Sequence, residues 1–380
     1  MPLHRALPAA FLLLALPACT GATAAPPADV RVATFNASLN RAAEGELVAD
    51  LSTLDDQQAR EVAEVVQRVR PDVLLVNEFD HAPAAVDLFR DNYLERGQNG
   101  AEPIEYPHAF IAPSNTGVPS GFDLDNDGTV GGGNDALGFG AFPGQYGMLV
   151  LSRFPIDTGA VRTFQRFLWK DLPGARLPEG FYSPEELAVL PLPSKSHWDV
   201  PVRIGDRTLH VLASHPTPPT FDGPEDRNGL RNADEIAFWR LYVQPGAHGD
   251  ALYDDAGRRG GLAGGERFVI VGDQNSDPFD GDSLSGAAQQ ILTAHRVLDP
   301  APASDGAAEA ANPGHRGDPR LDTADFSDPT PGNLRVDYTL PSQPMEVRGS
   351  GVFWPVAADP LVRLNDASDH RATWVDLRVR

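Results

Sequence analysis

Val73-Leu74-Leu75-Val76-Asn77-Glu78 is the stretch from which the fold can be read. Four apolar residues run unbroken and stop at an amide and a carboxylate, the pattern of a strand buried on both faces with a polar end. Immediately upstream, residues 55–69 carry Ala59, Val62, Ala63, Val65, Val66 and Val69 at helical spacing, and Arg70-Pro71-Asp72 closes that helix. Further upstream, Val30-Arg31-Val32-Ala33-Thr34-Phe35 alternates with the period of a strand and runs into Asn36. Strand, helix and strand are complete before residue 80, so an α/β fold is expected.

Working outward, strands are expected at residues 148–151, 200–204, 209–213, 268–271, 334–340 and 372–377. A second helix is expected at 233–243, with Ile236, Phe238, Trp239 and Leu241 on its buried face. Residues 301–333 read as loop, and a Gly- and Asp-rich insertion occupies about 97–145, where periodicity fails. No repeat is visible, and one domain spans 29–380. The chain has 380 residues and is 41% hydrophobic, enough for a large core and too much for global disorder. Its 53 acidic side chains against 31 basic give a formal charge of −22, which excludes the basic footprint of tight non-specific nucleic-acid binding. A phosphate-ester substrate would therefore need a divalent cation to offset the repulsion.

The N-terminus reads as an address. Residues 1–18 have a basic start (His4, Arg5) and an apolar run too short to span a bilayer, which fits a secretory signal peptide. Leu16-Pro17-Ala18-Cys19 resembles a bacterial lipoprotein signal that would leave Cys19 lipidated and attached to a membrane; cleavage after Ala22-Thr23-Ala24 is the alternative. Residues 19–28 form a flexible tether. The chain is expected to be exported, to the outer surface or periplasm, and monomeric with no protein partner. Cys19 is the sole cysteine, so no internal disulfide forms.

Polar residues stand just beyond the apolar strands: Asn36, Asn77-Glu78, Ser214-His215, Gly272-Asp273-Gln274-Asn275, Asp337 within its strand, and Ser368-Asp369-His370 before the last. Strand ends are rigid places to fix a reactive constellation. Oxygen donors without cysteine favour Mg²⁺, Mn²⁺ or Ca²⁺. Taken alone, Asn36 and Asn275 read as turn residues, Asp337 as a partner for Arg335, and His215 as a loop histidine. In order, with Leu151-Ser152-Arg153-Phe154-Pro155-Ile156 between them, these pieces resemble the endonuclease/exonuclease/phosphatase superfamily from about Val30 to Arg380.

That resemblance implies a four-layer α/β sandwich of two facing mixed sheets, deoxyribonuclease I-like, with its site at one end. It implies Glu78 as principal metal ligand, with Asn36 and Asp369 at the same Mg²⁺ or Mn²⁺ site. His370, oriented by Asp337, would contact the scissile phosphate. Asp273 would position or deprotonate the attacking water, Asn275 would bond the phosphoryl oxygens, and His215 matches the group that protonates the leaving oxygen. The expected activity is hydrolysis of a phosphodiester, nuclease-like. The alternatives are a phosphomonoester, a phospholipid or sphingomyelin-type diester, or a non-catalytic Ca²⁺-binding surface module. Lys195, His197, Arg231 and Asn232 are weaker candidates for the phosphate pocket, with Trp198 read as packing. His108, His210, His248 and His295 read as structural or surface residues. Separately, Asp123, Asp125 and Asp127 stand at loop positions 1, 3 and 5 with Gly128 at 6, an EF-hand-like spacing for a structural Ca²⁺ at 123–135; Asn134 replaces the usual twelfth-position Glu, with Asp135 next to it.

Overall fold

The computed structural model describes residues 28–244 and 246–379. The signal segment, Cys19 and nearly all of the tether lie outside those residues. The strands are β1 (Ala28–Asn36), β2 (Val73–Asn77), β3 (His108–Phe110), β4 (Met148–Ser152), β5 (Arg162–Thr163), β6 (His197–Ile204), β7 (Arg207–Ser214), β8 (Arg267–Asp273), β9 (Ala324–Asp325), β10 (Asn333–Leu334), β11 (Asp337–Pro341), β12 (Glu346–Val352) and β13 (Thr373–Val379). They form a six-stranded sheet in the order β12-β13-β1-β2-β4-β3 and a five-stranded sheet in the order β11-β8-β7-β6-β5, with β9 and β10 paired apart. Both large sheets are mixed: β1–β2 and β7–β8 are parallel and the other pairs antiparallel.

The apolar runs explain the layers. In β2, Val73 and Leu75 face the core between the sheets while Leu74 and Val76 face an outer core; β8 does the same with Val269 and Val271 against Phe268 and Ile270. A strand with a full apolar run is thus buried twice. Helices α1 (Glu46–Leu51), α2 (Gln57–Val69) and α3 (Pro83–Phe89) cover the first sheet. The short α4 (Pro184–Leu187) precedes the long α5 (Arg227–Val243), which covers the second sheet. α2 begins at a capping Asp56, whose carboxylate accepts the Ala59 amide, and ends at Arg70 in the left-handed region. Sheet, sheet and two helical layers are the expected four-layer sandwich. Among the described residues no helix is long and apolar enough to cross a membrane.

Four expectations need correction. Residues 301–333 are not all loop, because a short helix over Asp305–Glu309 and β9 lie within them. The insertion is not wholly irregular, because β3 inside it pairs with β4 as the sheet edge. The strand expected at 334–340 is broken after Leu334, where the Val336 and Asp337 amides bond the Thr323 hydroxyl instead of a neighbouring strand. The second helix starts at Arg227 rather than 233, because its first turns bury Arg231 and Asn232, residues whose polarity reads as loop.

Candidate active site

Strand register brings the polar ends together. Asn36 stands beside Asn77 where β1 and β2 end, and Asp337 opposes Asp273 across β11 and β8. Asn77 ties the sheets to each other: its Oδ1 accepts the Asp273 amide at 3.2 Å and its Nδ2 donates to the Ser214 carbonyl at 3.3 Å. Gly272 lets β8 pass close to β7, since a Cβ there would sit 2.0 Å from the Ser214 oxygen. Past these ends the backbone is strained. Ser38, Glu78 and Asn275 hold φ of 49°, 58° and 50°, left-handed values that cost about 1–3 kcal/mol each in non-glycine residues and persist where the surroundings impose them.

The side chains form one connected network. Asn36 Nδ2 donates to Glu78 Oε1 at 3.0 Å and to Asp273 Oδ2 at 3.1 Å. The same Asp273 oxygen faces His215 Nε2 at 3.3 Å and His370 Nε2 at 3.6 Å. Asp273 Oδ1 accepts the Asn275 amide at 2.8 Å, and Asn275 Nδ2 donates to the Pro216 carbonyl at 3.1 Å. His370 Nδ1 donates to Asp337 Oδ2 at 2.9 Å, and the Thr323 hydroxyl donates to that oxygen, also at 2.9 Å. Asn36, His215, Asp273, Asp337 and His370 are all buried, whereas Glu78 is half-buried. Asp369 is exposed at the rim, where it accepts the Ser38 hydroxyl at 3.2 Å.

Charge divides the two imidazoles. Burial works against a charged His370, but Asp337 and Asp273 outweigh it and raise the ring to about 10. Burial pushes the Asp337 carboxyl up to about 6 despite the imidazolium beside it. Between those values the pair is ionised. Burial would likewise raise Asp273, yet the His370 charge, the hydrogen bond from His215 and the Asn275 amide hold it well below the usual carboxylate range. For His215, burial and then the Lys195 charge depress the ring, so it stays neutral at pH 7.

The donor set fits a divalent ion. Ligand atoms of Asp273, Asp337 and His370 lie within 4.8 Å of one another, a buried cluster consistent with divalent-metal coordination. A doubly protonated ring has no lone pair to give, so proton and ion compete at His370. On the other side of Asp273, the Asn36 amide places its positive end between the Glu78 and Asp273 carboxylates. In the insertion, Asp123, Asp125 and Asp127 also converge within 4.8 Å. There Asn134 donates to Asp125 Oδ2 at 2.9 Å, while Asp135 turns inward to the Leu124 and Gly131 amides.

The structure thus joins Asn36, Glu78, His215, Asp273, Asn275, Asp337 and His370, and sets Asp369 at their edge. Arg335 pairs bidentately with Asp299, so Asp337 is not its partner. Of the weaker candidates, Arg231 is spent on the carbonyls of Leu137, Pro191 and Leu192, and His197 bonds the Glu235 carbonyl. Neither lines a phosphate pocket. Trp198 packs between the sheets against Phe110. Lys195 is buried in the field of Glu235, Glu78 and Asp273, which offset part of the lowering that burial causes. The sequence reading gave no role to Asn77 or Thr323. Asn77 continues the inward-facing alternation of Val73 and Leu75, so its place between the sheets was readable; Thr323, in an irregular segment, carries no such signal.

Fold and site together define a deoxyribonuclease I-like α/β sandwich with a candidate hydrolytic centre at one end of its sheets. The family model described as "Endonuclease/Exonuclease/phosphatase family" matches residues 33–370, and the chain belongs to that family. A search of curated proteins gives no match. Among solved structures, an endonuclease/exonuclease/phosphatase from Beutenbergia cavernae is 18% identical, with 92% of this chain and 72% of that one covered and a TM-score of 0.49. An endonuclease/exonuclease/phosphatase family protein from Leptotrichia buccalis is 13% identical (92% and 100% covered, TM-score 0.46). Sphingomyelinase C from Streptomyces griseocarneus is 14% identical (92% and 99% covered, TM-score 0.44).

Proposed function

We propose that the chain is an exported, divalent-metal-dependent phosphoesterase that cleaves a phosphodiester by direct attack of water. The observation that carries this reading is Asp273 Oδ2, which meets the Asn36 amide on one side and two imidazoles on the other. Glu78 and Asn36 would hold the ion, Mg²⁺ or Mn²⁺, with Asp369 near it. When bound, it would supply Lewis-acid polarisation of a phosphoryl oxygen and offset the charge of an acidic protein against an anionic substrate. Asp273, held deeply ionised, is too weak a base to keep a proton and orients the water through its carboxylate. His370, kept charged by Asp337, donates from Nε2 to the phosphoryl oxygen as negative charge builds there. The second amide hydrogen of Asn275 and the Lys195 ammonium bond neighbouring phosphoryl oxygens. His215, neutral, gives the leaving oxygen a hydrogen bond from Nε2–H rather than its proton, and the proton lost by the attacking water passes by way of Asp273 to the departing oxygen.

A nucleic-acid strand is the leading substrate, and a small or lipid-borne phosphate ester the rival. Export through residues 1–18, with Cys19 as a lipid tether to the membrane, would place the enzyme where such esters are scavenged; mass spectrometry of the mature N-terminus tests it. The activity is tested with purified protein, bis(p-nitrophenyl) phosphate and Mg²⁺, Mn²⁺ or Ca²⁺. Metal-dependent release of nitrophenol, abolished by EDTA and restored by the ion, is expected; no turnover with any ion removes the reading. Plasmid DNA, RNA, sphingomyelin and inositol phosphates then sort the substrate class.

A further inference from the structure

Helix α5 turns a polar face inward, burying Arg231, Asn232, Asp234 and Glu235. Buried polar groups are retained where they have partners, so the partners say what the face is for. Asn232 is fully buried, and its Nδ2 donates to the Thr217 carbonyl at 2.8 Å, the Gln274 carbonyl at 2.9 Å and, more distantly, the Asn275 carbonyl at 3.5 Å. Those carbonyls belong to two separate segments, one just past His215 and one just past Asp273. Almost one turn along, Glu235 accepts the Thr217 amide at 2.6 Å and the Ser194 amide at 2.7 Å, which adds the segment carrying Lys195. Asn275 Nδ2 closes the ring onto the Pro216 carbonyl.

Asn232 makes no hydrogen bond to a site side chain. Its Oδ1 is buried and meets no protein donor among the described residues. Its Nδ2 nevertheless satisfies two buried carbonyls that an apolar side chain of the same size would leave without a donor. What an apolar side chain cannot do is hold two carbonyls from different loops to one donor group. Asn275 sits next to that point at a left-handed φ of 50°, a conformation its surroundings must impose.

We propose that Asn232 is a positioning residue: its amide fixes the spacing between the His215 loop and the Asp273–Asn275 turn, and so aims Asn275 at the phosphoryl group. This rests on the phosphoesterase reading above. Asn232→Leu and the isosteric Asn232→Asp are made alone and combined with Asn275→Ala, and assayed on bis(p-nitrophenyl) phosphate with Mn²⁺. Each single Asn232 variant is expected to lower kcat by about 10- to 100-fold with KM changed less than about 3-fold. In the Asn275→Ala background the same change is expected to add less than about 3-fold, because the lever then has nothing to move. Amide exchange at residues 217 and 274–276 should rise together while β1 and β13 stay protected, which reads the clasp without turnover. If Asn232→Leu does not fold, the Asn232→Asp pair decides alone. An unchanged kcat, losses that multiply in the double variant, or exchange confined to one segment each overturns the inference while the wild type remains active. A wild type inert with every ion overturns the phosphoesterase reading and takes the inference with it.

Discussion

Among the described residues, two clusters bring three potential ligands within 4.8 Å, yet they differ in kind. Asp273, Asp337 and His370 are buried and contain their own counter-charge, so burial and ion pairing pull against each other and displace all three groups from their ordinary ionisation. Asp123, Asp125 and Asp127 are half-buried or exposed on a loop, where water screens them and backbone amides from residues 127 and 128 satisfy Asp123. Proximity of acidic side chains is common to both. Only the first lies on strand ends fixed by two sheets, and only there does removing one partner strand a charge in the interior.

The largest expected effects come from the buried side. His370→Ala removes the charged donor and leaves Asp337 buried against the Thr323 hydroxyl alone, so turnover should fall by about 10³-fold, as for loss of a positioned acid or oxyanion donor. Stability should fall by about 3–5 kcal/mol, the penalty for breaking a buried pair. Initial rates and thermal unfolding measure both, and a variant retaining a third of wild-type turnover would sink the assignment. Glu78→Gln should leave the fold nearly untouched, since Glu78 is half-buried, yet raise the ion concentration for half-maximal rate by about 10-fold or more. If the ion requirement is unchanged in that variant, the ion is held elsewhere, and the Asp273–Asp337–His370 cluster becomes the better candidate.

Asp337→Asn tests the electrostatics rather than the contacts. The carboxylate stabilises the imidazolium, so its removal should lower the His370 pKa from about 10 while Asp273 still supports it in part. The alkaline limb of kcat/KM should therefore move to lower pH by about one unit or more. The stability linkage has the same sign. A raised folded-state pKa contributes stability fully present below about 6.5, the ordinary histidine value, and lost as pH rises through about 10. In the variant that loss should occur at lower pH. NMR titration of the His370 ring reads the shift directly, and an unmoved ring would show that Asp337 only orients it.

Much of this site is legible in the sequence because its residues stand where unmistakable strands end. Val73-Leu74-Leu75-Val76 and Phe268-Val269-Ile270-Val271 each contribute to two cores, so each is apolar throughout, and the first polar residues beyond them mark the sheet edge. What was not legible depends on polar groups partnered at long range. Glu235 looks like a surface residue of a helix until the loops it holds are in place, and Asn232, a sequence candidate for the phosphate pocket, instead spends its amide on the Thr217 and Gln274 carbonyls. Thr323 lies fourteen positions before Asp337 in a segment without periodicity, and its role arises from a strand break that no local preference signals. Arg335 and Asp337 are only two residues apart, yet the break between β10 and β11 sends Arg335 to Asp299 while β11 carries Asp337 to His370.

The smallest expected effect sharpens the comparison from the other side. Asp125→Asn keeps the shape of the insertion loop and alters a carboxylate that is partly solvated and bonded to Asn134. The loop lies on the chain between Glu78 and His215, but the site network passes through none of its carboxylates. Turnover should stay within about 2-fold of wild type, and stability should change by less than about 1 kcal/mol, as for an exposed polar contact. Unfolding in urea and the bis(p-nitrophenyl) phosphate assay measure the two. A loss of several kcal/mol would mean that the exposed cluster, like the buried one, is held by a charge, and that the difference between them is occupancy rather than burial.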